Sequence, residues 1–487
     1  GIKMSDFDLV VKNGKVVTPY VGVTDADIGI LDGKISAIET SIDSSRAKEV
    51  IDAEGKAVFP GACDVHFHIG IYHPIEESAE NETRSSLVGG VTTIVSYFRS
   101  GSHYLERTGS YKELFPEVVN RTTGHAYTDF SYHIAAMEDS QIDEIEWLVD
   151  QGVGSFKYFM FYKGMNLHGN NTDPKAMTMT GDPYDLGHLY KYMKKVKEMQ
   201  DKYADKGRIS LSLHCEHAEL LRVFLEEARE KGIDGLQGYH EGRPALTEEL
   251  AITEASVLAK ATGCPVNFLH LSSKEAFETA DEFRRLNPQL DIITETTLHH
   301  LALTWETSYE PEGRTWGKVN PPIREAKDND ALWAAVEQGR IDQVVSDHAC
   351  VEEENKGDLW EAYAGFGGTA LLYPLMISDG HHKRGMKLEK IAELVAANPA
   401  QTVGIYPKKG TIAVGSDADL AIIDLNKEQK VTADLLLSGQ QFSNFQDYEI
   451  KGWPVMTIRR GELMYKDGEV VGTTSGEFIK RPIGVHK

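Results

Sequence analysis

Short apolar runs alternate with longer amphipathic stretches over most of the chain, between about residues 60 and 405. The apolar runs have the length of β-strands and the amphipathic stretches have helical periodicity, so the pattern predicts repeated β-α units around a parallel sheet. Eight strand cores can be counted, at residues 62–67, 92–98, 127–135, 155–160, 209–214, 266–270, 291–295 and 343–346. Eight units favour an α/β fold closed as a (β/α)8 TIM barrel.

The two chain ends have a different pattern, in which short alternating runs are separated by turn sequences such as Asn13-Gly14 and Asp467-Gly468. Neither end is long enough to form a sandwich alone, so we expect residues 4–58 and 410–472 to pair as one small β-sandwich domain. The barrel is then expected at residues 59–409, with a C-terminal tail at 473–487. A stretch without clear periodicity, residues 163–184, is either an active-site loop or a plain surface insertion.

Acidic residues outnumber basic ones by 75 to 51, which gives the 487-residue chain a formal charge of −24. Such a charge repels nucleic acid and anionic membrane surfaces, and it favours a small, uncharged or enclosed substrate. No run approaches the roughly 20 apolar residues of a membrane span, and the N-terminus lacks the pattern of an export signal. The four cysteines show no disulfide-like spacing. These features together predict a cytoplasmic protein.

His66 and His68 lie at the end of the first predicted strand. Side chains alternate along a strand with a period of two, so both imidazoles lie on one face and can chelate one dication. Taken alone, a His-x-His pair is more often ordinary packing or surface histidine. At the end of a barrel strand, it becomes a candidate metal site.

Lys157 lies within a run that is otherwise apolar on both faces, Gly154 to Tyr162. Burial of an unpaired lysine is costly, which leaves two interpretations open. The side chain could extend to solvent or pair with an acid. Alternatively, its desolvated amine could add carbon dioxide, and the resulting carbamate has two anionic oxygens that can bridge two metal ions.

Three further residues with metal-binding side chains end predicted strands. His214 and His270 each terminate an apolar run, and Asp347 closes the eighth strand. Each has a plain structural interpretation, as a core histidine or as a helix N-cap. However, five strands now end in groups that can bind metal, and their carboxyl ends meet at the rim where barrel enzymes carry their active sites. An aspartate at that rim can also exchange a proton as a general acid and base.

The sequence resembles the dihydropyrimidinase and hydantoinase branch of the amidohydrolase superfamily over nearly its whole length. The matching segments are residues 64–68, 87–93, 155–162, 239–240, 243–244, 295–296, 320–324, 346–348 and 407–412. The resemblance implies two zinc ions bridged by hydroxide and by a carboxylated Lys157, an N6-carboxylysine. It implies that the more buried ion is held by His66, His68, Lys157 and Asp347, and the other by Lys157, His214 and His270.

The same resemblance implies a homotetrameric enzyme that opens a cyclic amide or imide ring, such as a dihydropyrimidine or hydantoin, by attack of the hydroxide on the carbonyl. Tyr162 matches a tyrosine that contacts the substrate amide, and its hydroxyl is expected to hold the developing oxyanion. Asn320 is expected to offer backbone contacts to the ring. Asp347 is expected to move the proton from the nucleophile to the leaving nitrogen.

Some segments depart from the family pattern. The loop after the eighth strand, Ala364-Gly365-Phe366-Gly367-Gly368, replaces an Asn-Gly-x-x-Gly sequence, and the loops at residues 69–80 and 98–107 differ from the usual hydantoinase versions. The related dihydroorotases carry a carboxylate-binding arginine where this chain has Gly70, which argues against an acidic substrate bound in that way, though Arg99 could serve from the neighbouring loop. Three alternatives remain. The substrate could be another cyclic amide, such as a lactam or an allantoin-like ring, or the enzyme could hydrolyse a different bond, such as an ester or a linear amide. The chain could also be a non-catalytic scaffold relative.

Overall fold

The computed structural model of the chain describes residues 5–162 and 179–487, so most of the candidate loop at 163–184 lies outside the described residues. The chain begins with five strands that do not belong to the barrel. They are β1 (Phe7–Thr18), β2 (Gly22–Leu31), β3 (Lys34–Glu39), β4 (Ala47–Asp52) and β5 (Ala57–Pro60). Asp32, with a positive φ, lies in the turn between β2 and β3. Asn13 also has a positive φ, but it lies at a bulge inside β1, so the turn that the sequence predicts at Asn13-Gly14 is wrong.

The next eight strands form one parallel sheet in sequence order, each neighbour pairing with the next. They are β6 (Ala62–Phe67), β7 (Val91–Arg99), β8 (Asp129–Ala135), β9 (Ser155–Phe159), β10 (Ser210–His214), β11 (Val266–Phe268), β12 (Ile292–Thr297) and β13 (Gln343–Val345). A bridge from Phe67 to His348 joins the last strand back to the first, and the amide of His68 donates to the His348 carbonyl at 2.9 Å. The predicted barrel is therefore confirmed.

Helices follow the barrel strands and cover the outside of the sheet. Within the described residues they are α1 (Ile75–Val88), α2 (Tyr111–Thr122), α3 (Asp139–Ile142), α4 (Ile145–Asp150), α5 (Leu186–Lys202), α6 (Ala218–Lys231), α7 (Gly235–Gly242), α8 (Ala245–Thr262), α9 (Lys274–Leu286), α10 (Leu298–Ala302), α11 (Ala326–Glu337), α12 (Leu372–Leu375), α13 (Leu388–Ala392) and α14 (Asn398–Thr402). Wider helical turns at Met376–His382 and Glu393–Ala397 extend α12 and join α13 to α14. No helix in this part of the chain has the length and apolar character needed to cross a membrane.

Four C-terminal strands complete the sheet begun by the N-terminal five, as the sequence predicts. They are β14 (Leu420–Lys430), β15 (Glu449–Arg459), β16 (Glu462–Lys466) and β17 (Glu469–Val470). The two ends of the chain meet where β14 pairs antiparallel with β5, with Leu420 opposite Pro60. Apolar side chains from both ends, such as Ile28 and Ile458, pack in one shared cluster. The small β unit is thus built from both chain termini.

The final residues return to the barrel. Ile479 donates its amide to the Phe130 carbonyl at 2.8 Å, which places the tail along β8. The fully buried guanidinium of Arg481 donates to the hydroxyls of Ser131 and Ser155 at 2.7 and 2.9 Å. Arg481 of the C-terminal tail therefore connects the neighbouring barrel strands β8 and β9.

Candidate metal centre

All six side chains singled out in the sequence as candidate metal ligands line one cavity at the carboxyl ends of the barrel strands. His66 and Lys157 lie within strands β6 and β9, and His214 is the last residue of β10. His270 and Asp347 each lie two residues beyond their strands, where the backbone turns with φ of +32° and +55°. Such left-handed backbone is uncommon outside glycine and is concentrated at functional sites.

His66 and His68 both direct a ring nitrogen at the same carboxylate oxygen. Their Nε2 atoms lie 3.0 and 2.9 Å from Asp347 Oδ1. The other nitrogen of each ring has its own partner: Glu295 accepts a hydrogen bond from His66 Nδ1 at 2.8 Å, and the Tyr104 hydroxyl lies 3.0 Å from His68 Nδ1. Fixing one nitrogen of an imidazole orients the other toward a metal.

His214 and His270 form a second pair in the cavity. His270 Nε2 lies 3.0 Å from His214 Nδ1. The other nitrogen of His214 is held by Glu216 at 2.7 Å, and Glu216 is in turn paired with Arg243, whose Nη2 donates at 2.6 Å. This buried chain of charges fixes which nitrogen of His214 faces the cavity.

Burial keeps most of these imidazoles neutral. It lowers the pKa of His68 and of His214 to about 4 and that of His270 well below its ordinary value. For His66, burial also opposes protonation, but the carboxylates of Asp347 and Glu295 outweigh it and raise the pKa to about 9. Burial opposes ionisation of Asp347, yet His66 and His68 hold its pKa well below the usual range. The site thus offers an anion and several neutral imidazoles.

Lys157 is buried in the same cavity without an ion pair among the described residues. Its Nζ lies over the ring of Tyr97 at 4.0 Å and that of Phe159 at 4.4 Å from the centroids. Desolvation lowers the pKa of this amine to about 7. Of the two interpretations left open by the sequence, extension to solvent is therefore wrong for this conformation.

Tyr162 and Asn320 also line the cavity. Tyr162 ends a short 3-10 turn, Met160–Tyr162, which directly follows β9 and brings the ring back over the barrel mouth. It stacks on Phe159 with ring centroids 4.4 Å apart, and burial raises the pKa of its hydroxyl. Asn320 accepts a hydrogen bond from the Tyr239 hydroxyl through its side chain. That bond fixes the side chain beside the cavity.

The donor set fits divalent cations. One ligand atom each from His66, His270 and Asp347 lies within 4.8 Å of the others, which is the spacing of a shared ion. The buried nitrogen His270 Nδ1 has no hydrogen-bond partner in the described part of the chain, and His66 Nε2 lies close to Asp347 Oδ1, at 3.0 Å, without the geometry of a hydrogen bond. Buried polar atoms without partners are costly, and a bound cation would satisfy such nitrogens. Mixed imidazole and carboxylate ligands are those that zinc and similar metals accept.

Several supporting residues were not identified as such from the sequence. Glu295 and Glu216, which hold His66 and His214, fall in or next to quoted motifs, but nothing in their spacing shows which histidine each one contacts. Tyr104 lies in the loop after β7, where no periodicity exists to give its direction. Only the assembled barrel brings these side chains behind the ligands.

Comparison with known proteins places this site in context. The model of the amidohydrolase family matches residues 57–464. A D-hydantoinase of Ralstonia pickettii is 32% identical, covering 97% of this chain and 99% of that protein. An allantoinase of Deinococcus radiodurans is 31% identical over 97% of this chain and 98% of its own length. Among solved structures, the L-hydantoinase (dihydropyrimidinase) from Arthrobacter aurescens superposes with a TM-score of 0.86 at 29% identity, covering 98% of this chain and all of that one.

Proposed function

Because the chain belongs to the amidohydrolase family, we propose that it is a metal-dependent hydrolase that opens the ring of a cyclic amide or imide. The observation that carries the proposal is the convergence of four imidazoles, Lys157 and Asp347 on one cavity at the barrel mouth. Relatives across the full length are named for hydantoin and allantoin, both of which contain cyclic amide groups. The resemblance drawn from the sequence is thereby confirmed at the level of the family.

The proposal assigns two zinc ions to the cavity. His66, His68, Asp347 and a carboxylated Lys157 would hold one, and Lys157, His214 and His270 would hold the other. The support for a carbamate at Lys157 is the burial of its side chain in the cavity that His66 and His214 also line, without an ion-pair partner among the described residues. A carbamate that bound both ions would remove the free-energy cost of burying an isolated amine at this position.

Divalent cations in such a site ionise water near neutral pH and polarise a bound carbonyl. The chain's own residues then handle the proton and the developing charge. Asp347 accepts the proton of the attacking water and returns it to the departing ring nitrogen. The Tyr162 hydroxyl donates to the carbonyl oxygen as negative charge develops, and the backbone near Asn320 holds the ring. The product is a ring-opened N-acyl amino acid or amide acid.

The direct test combines metal analysis with a substrate panel of dihydrouracil, substituted hydantoins, cyclic imides, lactams and allantoin. We expect about two ions per chain, as a two-metal site requires, and hydrolysis of at least one cyclic amide that chelation abolishes. Protein with less than one ion per chain and no activity on any member of the panel would favour the scaffold alternative. Activity confined to linear amides or esters would refute the proposed bond.

Replacing Tyr162 with phenylalanine tests the oxyanion donor. The ring and its stacking on Phe159 are kept while the hydroxyl is lost. A phenol that donates only as charge develops stabilises the transition state more than the substrate, so kcat/KM should fall roughly 100-fold or more, mainly through kcat. Steady-state kinetics with metal content measured on the same sample gives the answer.

Tyr184 provides the matched control, because its ring is also buried, but its hydroxyl accepts a hydrogen bond from the Phe159 amide and does not line the cavity. Tyr184→Phe should lower stability without a selective loss of kcat. Unchanged kcat in Tyr162→Phe would mean that Tyr162 only packs the barrel mouth.

The proposal also includes a homotetramer, and the surface of α8 supports it. Leu246, Leu250 and Val257 are 49%, 36% and 59% exposed and lie four and seven residues apart, so they form one apolar stripe. The opposite side of α8 is buried against the barrel through Ile252 and Ala259. A helix that is apolar on both sides is typical of one that packs against two partners.

A charge placed in this stripe should weaken assembly. Leu250→Glu together with Val257→Glu should shift the protein to a smaller species in light scattering, because buried charge at an apolar contact is costly. Val471→Glu, at an equally exposed apolar residue outside the stripe, is the control. If the double variant keeps the wild-type mass, α8 is not part of the contact between subunits.

A further inference from the structure

Arg99 is a buried cation that the proposed mechanism leaves unused. It is the last residue of β7, lines the same cavity as the metal-binding side chains, and is only 1% exposed. Buried arginines are normally paired with carboxylates, since an uncompensated charge away from water is costly. Arg243 and Arg324 follow that rule, with Glu216 at 2.6 Å and Glu248 at 3.0 Å. Arg481 has no carboxylate partner, but each of its guanidinium nitrogens donates to a hydroxyl or a backbone carbonyl. Among residues 5–162 and 179–487, Arg99 forms no ion pair.

The Arg99 guanidinium is held by backbone carbonyls and aromatic rings. Its Nη1 donates to the carbonyls of Ser100, at 3.5 Å, and of Ser102, and its carbon lies 5.3 Å from the ring centroid of Tyr162 and 5.7 Å from that of Tyr104. Its Nη2, although buried, has no hydrogen-bond partner in the described part of the chain. Aromatic faces and two carbonyls orient the group without neutralising it, so an N–H donor and a full positive charge remain available inside the cavity.

We propose that Arg99 binds a carboxylate of the substrate, which makes the substrate a cyclic amide with an acidic substituent. The inference rests on the proposed function of the same cavity and narrows it to a substrate class. A neutral ring carbonyl could accept one hydrogen bond but would leave the buried charge uncompensated. A carboxylate satisfies both the donor and the charge, in the pairing that arginine geometry favours.

The position of Arg99 also limits where the carboxylate is attached. Tyr104 contacts the guanidinium with its ring and reaches His68 Nδ1 with its hydroxyl at 3.0 Å, so a single side chain separates Arg99 from the metal-binding cluster. A carbonyl reacting at the cluster and a carboxylate at Arg99 must therefore be close together in the substrate. This favours a carboxylate on the ring itself or on an arm of one or two carbons.

Two pairs of compounds, differing only in charge, test the proposal on the metal-loaded enzyme. One pair is hydantoin-5-acetate and hydantoin-5-acetamide, and the other is dihydroorotate and its 6-carboxamide, with both enantiomers of each. In at least one pair, kcat/KM for the acid should exceed that for the amide by about 100-fold, the scale of a buried charge pair. The shape of each pair is matched, so only recognition of the charge can produce that preference.

Arg99→Met should remove the preference by lowering kcat/KM for the acid about 100-fold while leaving the amide within a few-fold, because only the acid loses its charged partner. Arg99→Lys should restore part of the preference. Arg107→Met is the matched control, since Arg107 lies in the loop that follows Arg99 and pairs with Glu117, with half of its side chain exposed. That variant should retain the wild-type preference.

The outcomes separate this inference from the proposed function. Wild-type enzyme that hydrolyses neutral rings as well as, or better than, their acids overturns the substrate class and leaves the hydrolase intact. An equal loss for acid and amide in Arg99→Met, with Arg99→Lys no better, assigns Arg99 to structure alone and also overturns it. Failure to hydrolyse any cyclic amide, acidic or neutral, refutes the proposed function and this inference with it.

Discussion

Asp347→Asn should retain much of its metal and lose about 10²- to 10⁴-fold in kcat, the contribution of a positioned general acid and base. Asparagine keeps the shape of the side chain and one oxygen for a cation, but its amide cannot take a proton from water. The substitution also suits the backbone, because Asp347 has a φ of +55° and asparagine tolerates that left-handed conformation. Metal content and single-turnover rates on the same preparation measure the two effects separately.

Asp467→Asn is the matched control for this substitution. Asp467 has a comparable φ of +46° but lies exposed in the turn between β16 and β17. It should change neither metal content nor turnover. If Asp347→Asn has near-native kcat, Asp347 does not transfer the proton.

Lys157→Ala should lose most of its metal and more than about 100-fold in kcat/KM, since even partners that only orient metal ligands are worth roughly 10- to 100-fold. The reason is that a carbamate at this position would contribute a ligand to both ions. Replacing Lys157 leaves a space between the rings of Tyr97 and Phe159 where small acids can enter. Acetate or propionate should therefore restore part of the metal content and part of the activity.

Two further measurements show whether the effect comes from the carbamate. Wild-type protein equilibrated with 13C-labelled bicarbonate should give a carbamate resonance that is absent in Lys157→Ala. The same acids added to Asp347→Asn should restore nothing, since that variant lacks the group that takes the proton and keeps the bridging ligand. Lys157→Ala with both metals and a near-native rate would refute the bridging role.

The architecture could be predicted well from the sequence because each barrel strand is a short apolar run next to a polar turn. The predicted core at 62–67 coincides with β6, and that at 127–135 begins two residues before β8. One inaccurate strand end lies at the site itself. The run at 266–270 was expected to remain extended, yet β11 ends at Phe268 and His270 adopts a φ of +32°. Periodicity detects the apolar residues of a strand but not a turn imposed by neighbouring side chains.

The candidate site could be predicted as a set of residues but not as a geometry. Strand order alone places six side chains at one rim, and the structure brings all six to one cavity. The contacts behind them depend on tertiary packing, as shown by Glu295 between His66 and Gln343. The sequence likewise does not show that Arg99 lacks a carboxylate partner, because only the folded structure shows which side chains surround its guanidinium.

The pairing of β5 with β14 has a consequence for biosynthesis. The first five strands leave the ribosome early, but their partner begins at Leu420, 360 residues after Pro60. At about 5–20 residues per second, the N-terminal strands wait roughly 20–70 s with an unpaired edge. Unpaired edges are templates for aggregation, so the yield of folded protein should depend on chaperones that shield nascent chains and on the speed of translation. Slowing synthesis, which often helps large proteins, should here prolong the exposure of the N-terminal sheet.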